Sequence, residues 1–130
     1  MKVHHIGYAV KNLDEAFNIF KLLGFEKENE KVIDDKRNVK ILFIHNREYR
    51  IELIESLGEN SPIRNILKKS GSTPYHLCYE SENILEDIEL LKNNNFILIS
   101  ELSESRAIND KKVCFLYNKQ IGIIELVEKI

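Results

Sequence analysis

A stretch of this chain occurs twice, and no other feature of the sequence restricts its architecture as strongly. One constant shift carries His5-Ile6-Gly7-Tyr8 onto His76-Leu77-Cys78-Tyr79, Asn12 onto Asn83 and Phe25 onto Phe96. Each copy opens with a β-patterned run. There follows Asn12-Leu13-Asp14-Glu15 or Asn83-Ile84-Leu85-Glu86, an asparagine cap with a glutamate three residues on, as a helix start prefers. Leu13, Phe17 and Phe20 predict a first helix ended by Gly24, and Ile84, Ile88 and Leu91 a second ended at Asn93-Asn94-Asn95. Three strand-like runs follow each helix, at 26–33, 39–44 and 50–54, then at 96–100, 113–117 and 122–127. Each copy therefore reads βαβββ. Between them, residues 61–70 predict a connector helix with Ser61 at the cap, Pro62 in the first turn and Gly71 helping to end it. Two copies are too few for a solenoid. The expectation is a single domain over residues 1–130 with module 1 at about 1–57 and module 2 at about 73–130. Its class is α+β, two tandem βαβββ modules forming a cupped mixed sheet with one shared concavity.

Composition narrows the partners. With 43% hydrophobic residues the chain can bury a core, while a net charge of -2 and a pI near 6.1 argue against a nucleic-acid or anionic-membrane binder. A small polar ligand is the default expectation. Neither a signal-like apolar run nor a membrane-spanning stretch of about 20 apolar residues is present, so a cytoplasmic location is expected. Cys78 and Cys114 lie in apolar, strand-like runs and read as packing residues, not as a disulfide framework.

Strand alternation then sorts the side chains. His5, Gly7 and Ala9 share one face of the first strand and Ile6, Tyr8 and Val10 the other, which should pack on the helix. His76 and Cys78 repeat the first set, and Leu77 and Tyr79 the second. In the last strand of each copy, Ile51-Glu52-Leu53-Ile54-Glu55 matches Ile124-Glu125-Leu126-Val127-Glu128. A carboxylate facing a protein interior must be paired, protonated or bound to a metal. A strand histidine alone is ordinarily a satisfied core or surface group, and a lone Glu between Ile and Leu ordinarily faces solvent. Coincidence of four such residues across two copies favours ligation by His5, Glu52, His76 and Glu125. Imidazole and carboxylate without thiolate suit Ni²⁺, Co²⁺, Zn²⁺, Mn²⁺ or Fe²⁺ and select none of them. His4 competes as a ligand, His45 reads as solvated, and Glu55 and Glu128 read as solvent-facing.

These residues resemble the glyoxalase I and methylmalonyl-CoA epimerase branch of the vicinal-oxygen-chelate superfamily over nearly the whole chain. His5-Ile6-Gly7-Tyr8-Ala9-Val10, Ile51-Glu52-Leu53, Tyr75-His76-Leu77 and Ile124-Glu125-Leu126 look like its four ligand strands. The resemblance implies the glyoxalase/bleomycin-resistance fold around one divalent ion (Ni²⁺, Co²⁺, Zn²⁺ or Mn²⁺) and a homodimer. It also implies a glutamate that moves a proton beside a carbonyl, Glu125 first and Glu52 second. Ser61-Pro62-Ile63 resembles the epimerase. Asn109-Asp110-Lys111 and Tyr117-Asn118-Lys119 stand where that family shows Gly-Gly-Lys and His-Pro-Lys, and the opening residues with Thr73-Pro74-Tyr75-His76 look more like short bacterial glyoxalase I chains. The implied activity is therefore that of a lactoylglutathione lyase acting on a methylglyoxal–thiol hemithioacetal. The alternative is an epimerase acting on an acyl-CoA, and further alternatives are a dioxygenase with a 2-His-1-carboxylate site or a drug-binding protein of the same fold. Arg50, on the parity of Glu52, and Arg106, Lys111 and Lys112 around the loop before a late strand are candidates for an anionic substrate group. Phe115 and Tyr117 are candidate wall residues, with core packing the stronger reading for Phe115, and Lys40 is unassigned.

Overall fold

The computed structural model describes residues 1–130, which divide into two compact units, His5–Tyr75 and Met1–His4 with His76–Ile130. Ten strands and three α-helices make an α+β chain with mixed pairing. None of the helices is long and apolar enough to cross a membrane.

β1 (Lys2–Val10), which belongs to the first unit from His5 onward, runs into α1 (Leu13–Leu22). The Asn12 side chain accepts the Glu15 N–H at 2.9 Å, satisfying a donor that the first helical turn leaves over. Gly24, at φ 94, takes the left-handed turn that releases the chain. Next come β2 (Glu26–Lys27), β3 (Val32–Asp34), β4 (Val39–Asn46), β5 (Tyr49–Ser56) and α2 (Arg64–Ser70). The order is β2-β4-β5-β1, with β3 also on β4. The run at 26–33, expected as one strand, is two, because Glu28-Asn29-Glu30-Lys31 offers no apolar side chain to hold the ladder. The connector helix begins at Arg64 instead of 61: fully buried Ile63 occupies its cap, and Ser61 Oγ accepts the Ile63 N–H at 3.3 Å in a turn before it.

Strand β1 is parallel to β5 with Gly7 opposite Glu52, and β4 is antiparallel to β5 with Phe43 opposite Glu52. Alternate residues Leu42, Ile44, Ile51 and Leu53 join Val10 and Leu13 in a core against which Ile6, Tyr8, Phe17 and Phe20 pack. Pleating therefore commits His5, Gly7, Ala9, Phe43 and Glu52 to the face away from α1.

The second unit repeats the plan with β6 (Thr73–Ser81), α3 (Ile84–Lys92), β7 (Ile97–Leu98), β8 (Ser103–Ser105), β9 (Lys111–Asn118) and β10 (Gly122–Glu128). Its order is β6-β10-β9-β7, with β8 on β9. Parallel pairing sets Cys78 opposite Glu125 and antiparallel pairing sets Phe115 opposite it. Ile84, Ile88, Cys114, Leu116, Ile124 and Leu126 form the helix-side core, with Tyr79 and Phe96 packed on it. Leu77, expected beside Tyr79 in that core, is exposed, because the cluster around α3 draws in Tyr79 and does not reach back along β6 to Leu77. Strand β8 and the single 3-10 turn at Arg106–Ile108 were not foreseen, because Ser103-Glu104-Ser105 carries no apolar alternation.

Candidate metal centre

Each unit presents a buried imidazole against a buried carboxylate. In the first, His5 Nε2 lies 3.5 Å from Glu52 Oε1, the two residues being 1% and 4% exposed. The Phe43 ring meets the His5 ring edge-on, with centroids 5.2 Å apart and planes at 79°. In the second, His76 Nε2 lies 3.0 Å from Glu125 Oε2, at 5% and 3% exposure. There Phe115 meets His76 edge-on at 5.3 Å and 90°. For the two acids one physical cause serves: Ile51 and Leu53 beside Glu52, and Ile124 and Leu126 beside Glu125, go to the helix-side cores, so each carboxylate turns the other way. Phe43 escaped the sequence reading, although it occupies the place in β4 that Phe115 occupies in β9.

The donor chemistry fits a divalent ion. Each unit supplies one buried imidazole and one buried carboxylate, His5 with Glu52 and His76 with Glu125. Nitrogen and hard oxygen atoms without thiolate are the ligands of borderline first-row ions. Burial removes the bulk water that would otherwise solvate the carboxylate charge, so a cation or proton is needed near each.

The remaining candidates separate by face. Arg50 is gripped by Glu28, both of whose oxygens accept from Nε, at 2.8 and 3.0 Å. His45, expected to be solvated, instead faces the same carboxylate, with Nδ1 3.8 Å from Glu28 Oε1. Arg106 is exposed on the 3-10 turn, and half-buried Lys111 shares the parity of Phe115. Lys112 has the opposite parity, and its backbone N–H donates to Glu128 Oε1 at 3.0 Å. Phe115 is partly buried and Tyr117 exposed. Glu55 is not solvent-facing: its Oε1 accepts the Leu13 N–H at 2.7 Å, and Lys40 Nζ lies 3.6 Å from its other oxygen. Cys78 and Cys114 are free and fully buried. Burial, and after it the charge of Glu125, pushes the Cys114 thiol up to about 11, as expected of a packing residue.

Several curated relatives carry epimerase names. Methylmalonyl-CoA epimerase, mitochondrial, of Dictyostelium discoideum is 30% identical over 98% of this chain and 78% of its own length. Ethylmalonyl-CoA/methylmalonyl-CoA epimerase of Cereibacter sphaeroides is 30% identical over 96% of both. Among solved structures, a methylmalonyl-CoA epimerase in complex with methylmalonyl-CoA and NH4+ superposes with a TM-score of 0.84, covering 98% of this chain and 94% of that one, at 19% identity, a likeness of fold. The expectation of a lactoylglutathione lyase is thereby overturned: these relatives are named for inverting a CoA thioester, which is isomerase and not lyase chemistry. The error has a physical source, because one donor set can serve both reactions and the residues that choose the substrate lie outside it. The pattern of the Glyoxalase/Bleomycin resistance protein/Dioxygenase superfamily matches residues 4–115, and the chain belongs to that superfamily.

Proposed function

We propose that this protein is a metal-dependent epimerase of a malonyl-type CoA thioester, with methylmalonyl-CoA as the reference substrate. The observation that carries the reading is the buried imidazole–carboxylate pair in each unit, His5 with Glu52 and His76 with Glu125. Relatives at 30% identity with epimerase names support it. In this reading all four side chains hold one divalent ion. When bound, the ion supplies Lewis-acid stabilisation of the charge that develops on the thioester oxygen as the α-proton leaves.

The chain's own residues do the rest. Glu125, ionised, takes the proton from the α-carbon, and Glu52, protonated beforehand from solvent, gives one to the opposite side, so that the two carboxyls end the turnover with their protonation states exchanged. Phe43 and Phe115 meet the imidazoles edge-on and help fix their orientation. The decisive experiment offers metal-reconstituted protein one epimer of methylmalonyl-CoA in D₂O and follows inversion and α-deuteration by NMR. Deuteration with inversion supports the reading. Absence of both with Ni²⁺, Co²⁺, Zn²⁺ and Mn²⁺ would remove it.

A further inference from the structure

The two units match at the buried pair and at the phenylalanine beside it, and then diverge one step further along the strands. In the first unit that step is Arg50 opposite His45, both turned toward the Glu28 carboxylate. In the second it is Ile123 opposite Tyr117, with Ile97 on the other side of Tyr117. Cross-strand partners share a face, so Ile97 and Tyr117 lie on the face from which Phe115 meets His76. Where the first unit sets polar side chains against one another, the second keeps an open groove of about 400 Å³ lined by Asn95, Ile97, Tyr117, Asn118, Lys119 and Gln120.

Three kinds of group make up that lining. Ile97 and Tyr117 are exposed apolar surface. Asn95, Asn118 and Gln120 bring amides, and Lys119, in the turn between β9 and β10, is the only charged residue among the six. The rim is held in place by Asn118, whose Nδ2 donates to Asn95 O at 3.2 Å while its Oδ1 accepts the Gln120 N–H at 2.9 Å. From Phe115 to Lys119 the chain takes four nearly extended steps, roughly 13 Å. In a CoA thioester the sulfur and the diphosphate are joined by a pantetheine arm about as long as four to five extended residues, roughly 15 Å. That arm offers amides and a dimethyl carbon along its length and negative charge at its far end.

Resting on the epimerase reading above and locating the handle of its substrate, we propose that this groove seats the pantetheine arm of the thioester, with the acyl end toward Phe115 and the diphosphate at Lys119. Tyr117 and Ile97 cover the apolar part of the arm. Asn95 and Gln120 exchange hydrogen bonds with its amides, and Lys119 meets the diphosphate as a point charge.

The test is calorimetric binding of coenzyme A and of pantetheine, neither carrying an acyl group, to the full chain as wild type, Tyr117→Ala, Tyr117→Phe and Lys119→Ala. Loss of the area that the ring covers should weaken both ligands by roughly tenfold in Tyr117→Ala. Tyr117→Phe keeps the ring and should bind both as the wild type does. Lys119→Ala should weaken coenzyme A by roughly fivefold, the size of an exposed ion pair, and leave pantetheine, which has no diphosphate, unchanged. A Tyr117→Ala variant that binds like the wild type, or a Lys119→Ala variant that weakens both ligands alike, overturns the assignment. A wild type that binds neither ligand overturns the groove, whether or not it epimerises methylmalonyl-CoA. Binding with the expected losses in a protein that does not epimerise methylmalonyl-CoA keeps the groove and discards the epimerase.

Discussion

Glu55 accepts the Leu13 N–H at 2.7 Å, so the strand that turns Glu52 to one face turns Glu55 to the other, where it caps the start of α1. Asn12 already serves the Glu15 N–H, and together the two side chains satisfy two of the donors a helix leaves open at its N-terminus. A negative charge there also complements the helix dipole. We predict that Glu55→Ala lowers stability by about 1–2 kcal/mol, read as a lower Tm, and leaves metal affinity unchanged. A parallel fall in metal affinity would show that Glu55 supports the ligand strand as well.

Replacing each acid in turn separates base from ligand. Glu125→Gln should slow α-deuteration by roughly 10²–10⁴-fold, the usual contribution of a general base. Glu52→Gln, keeping a carbonyl oxygen as donor, should weaken metal binding more than it slows proton exchange in metal-saturated protein. Reversal of this pattern in single-turnover exchange would exchange the two roles.

On the proposed reading metal should stabilise the folded chain, because a site of four distant residues can form only on folding. At a free-ion concentration about a hundred times Kd, the gain is about 2.7 kcal/mol. For a chain of this size that is a rise in Tm of roughly 10 °C. His76→Ala should abolish the rise. A Tm indifferent to every divalent ion tried would dismiss the metal centre.

The Cys114 thiol makes a pH prediction with a definite sign. Its folded value near 11 lies above the ordinary 9.0, so between those two the folded chain keeps a proton that the unfolded chain has lost. Stability then falls as pH rises through that window and is unaffected below it. Denaturant unfolding of wild type and Cys114→Ala at about pH 8 and pH 10.5 should show the steeper alkaline loss in the wild type. Equal losses would mean that the buried thiol titrates normally.

Much of this was legible in the residues and some could not be. Asn12 and Asn83 announced two helices because a cap is a local hydrogen bond. The direction of Glu52 and Glu125 was readable because the apolar residues on either side of each, Ile51 and Leu53 or Ile124 and Leu126, leave the acid only one face. Glu55 was misread as solvent-facing, since its partner Leu13 is distant in sequence and nothing nearby reveals the helix end above it. Glu28 binds Arg50 because Glu28 N–H donates to Phe43 O beyond β2, a tertiary event with no sequence period. Substrate choice was beyond reach because imidazole and carboxylate ligands are common to several chemistries.

The strand pairings carry a kinetic implication. Tyr49 faces Asn46 across a two-residue turn in which Arg47 takes φ 56, so β4 and β5 can zip together as a local hairpin. Parallel β1 must instead return across most of the first unit before Gly7 meets Glu52, and β6 must do likewise to bring Cys78 to Glu125. The acids thus take their places early and the imidazoles late, which makes an ion a latch on a finished structure and not a seed for it. Stopped-flow refolding should be indifferent to added metal while unfolding slows with it. Acceleration of refolding by metal would reverse that order of assembly.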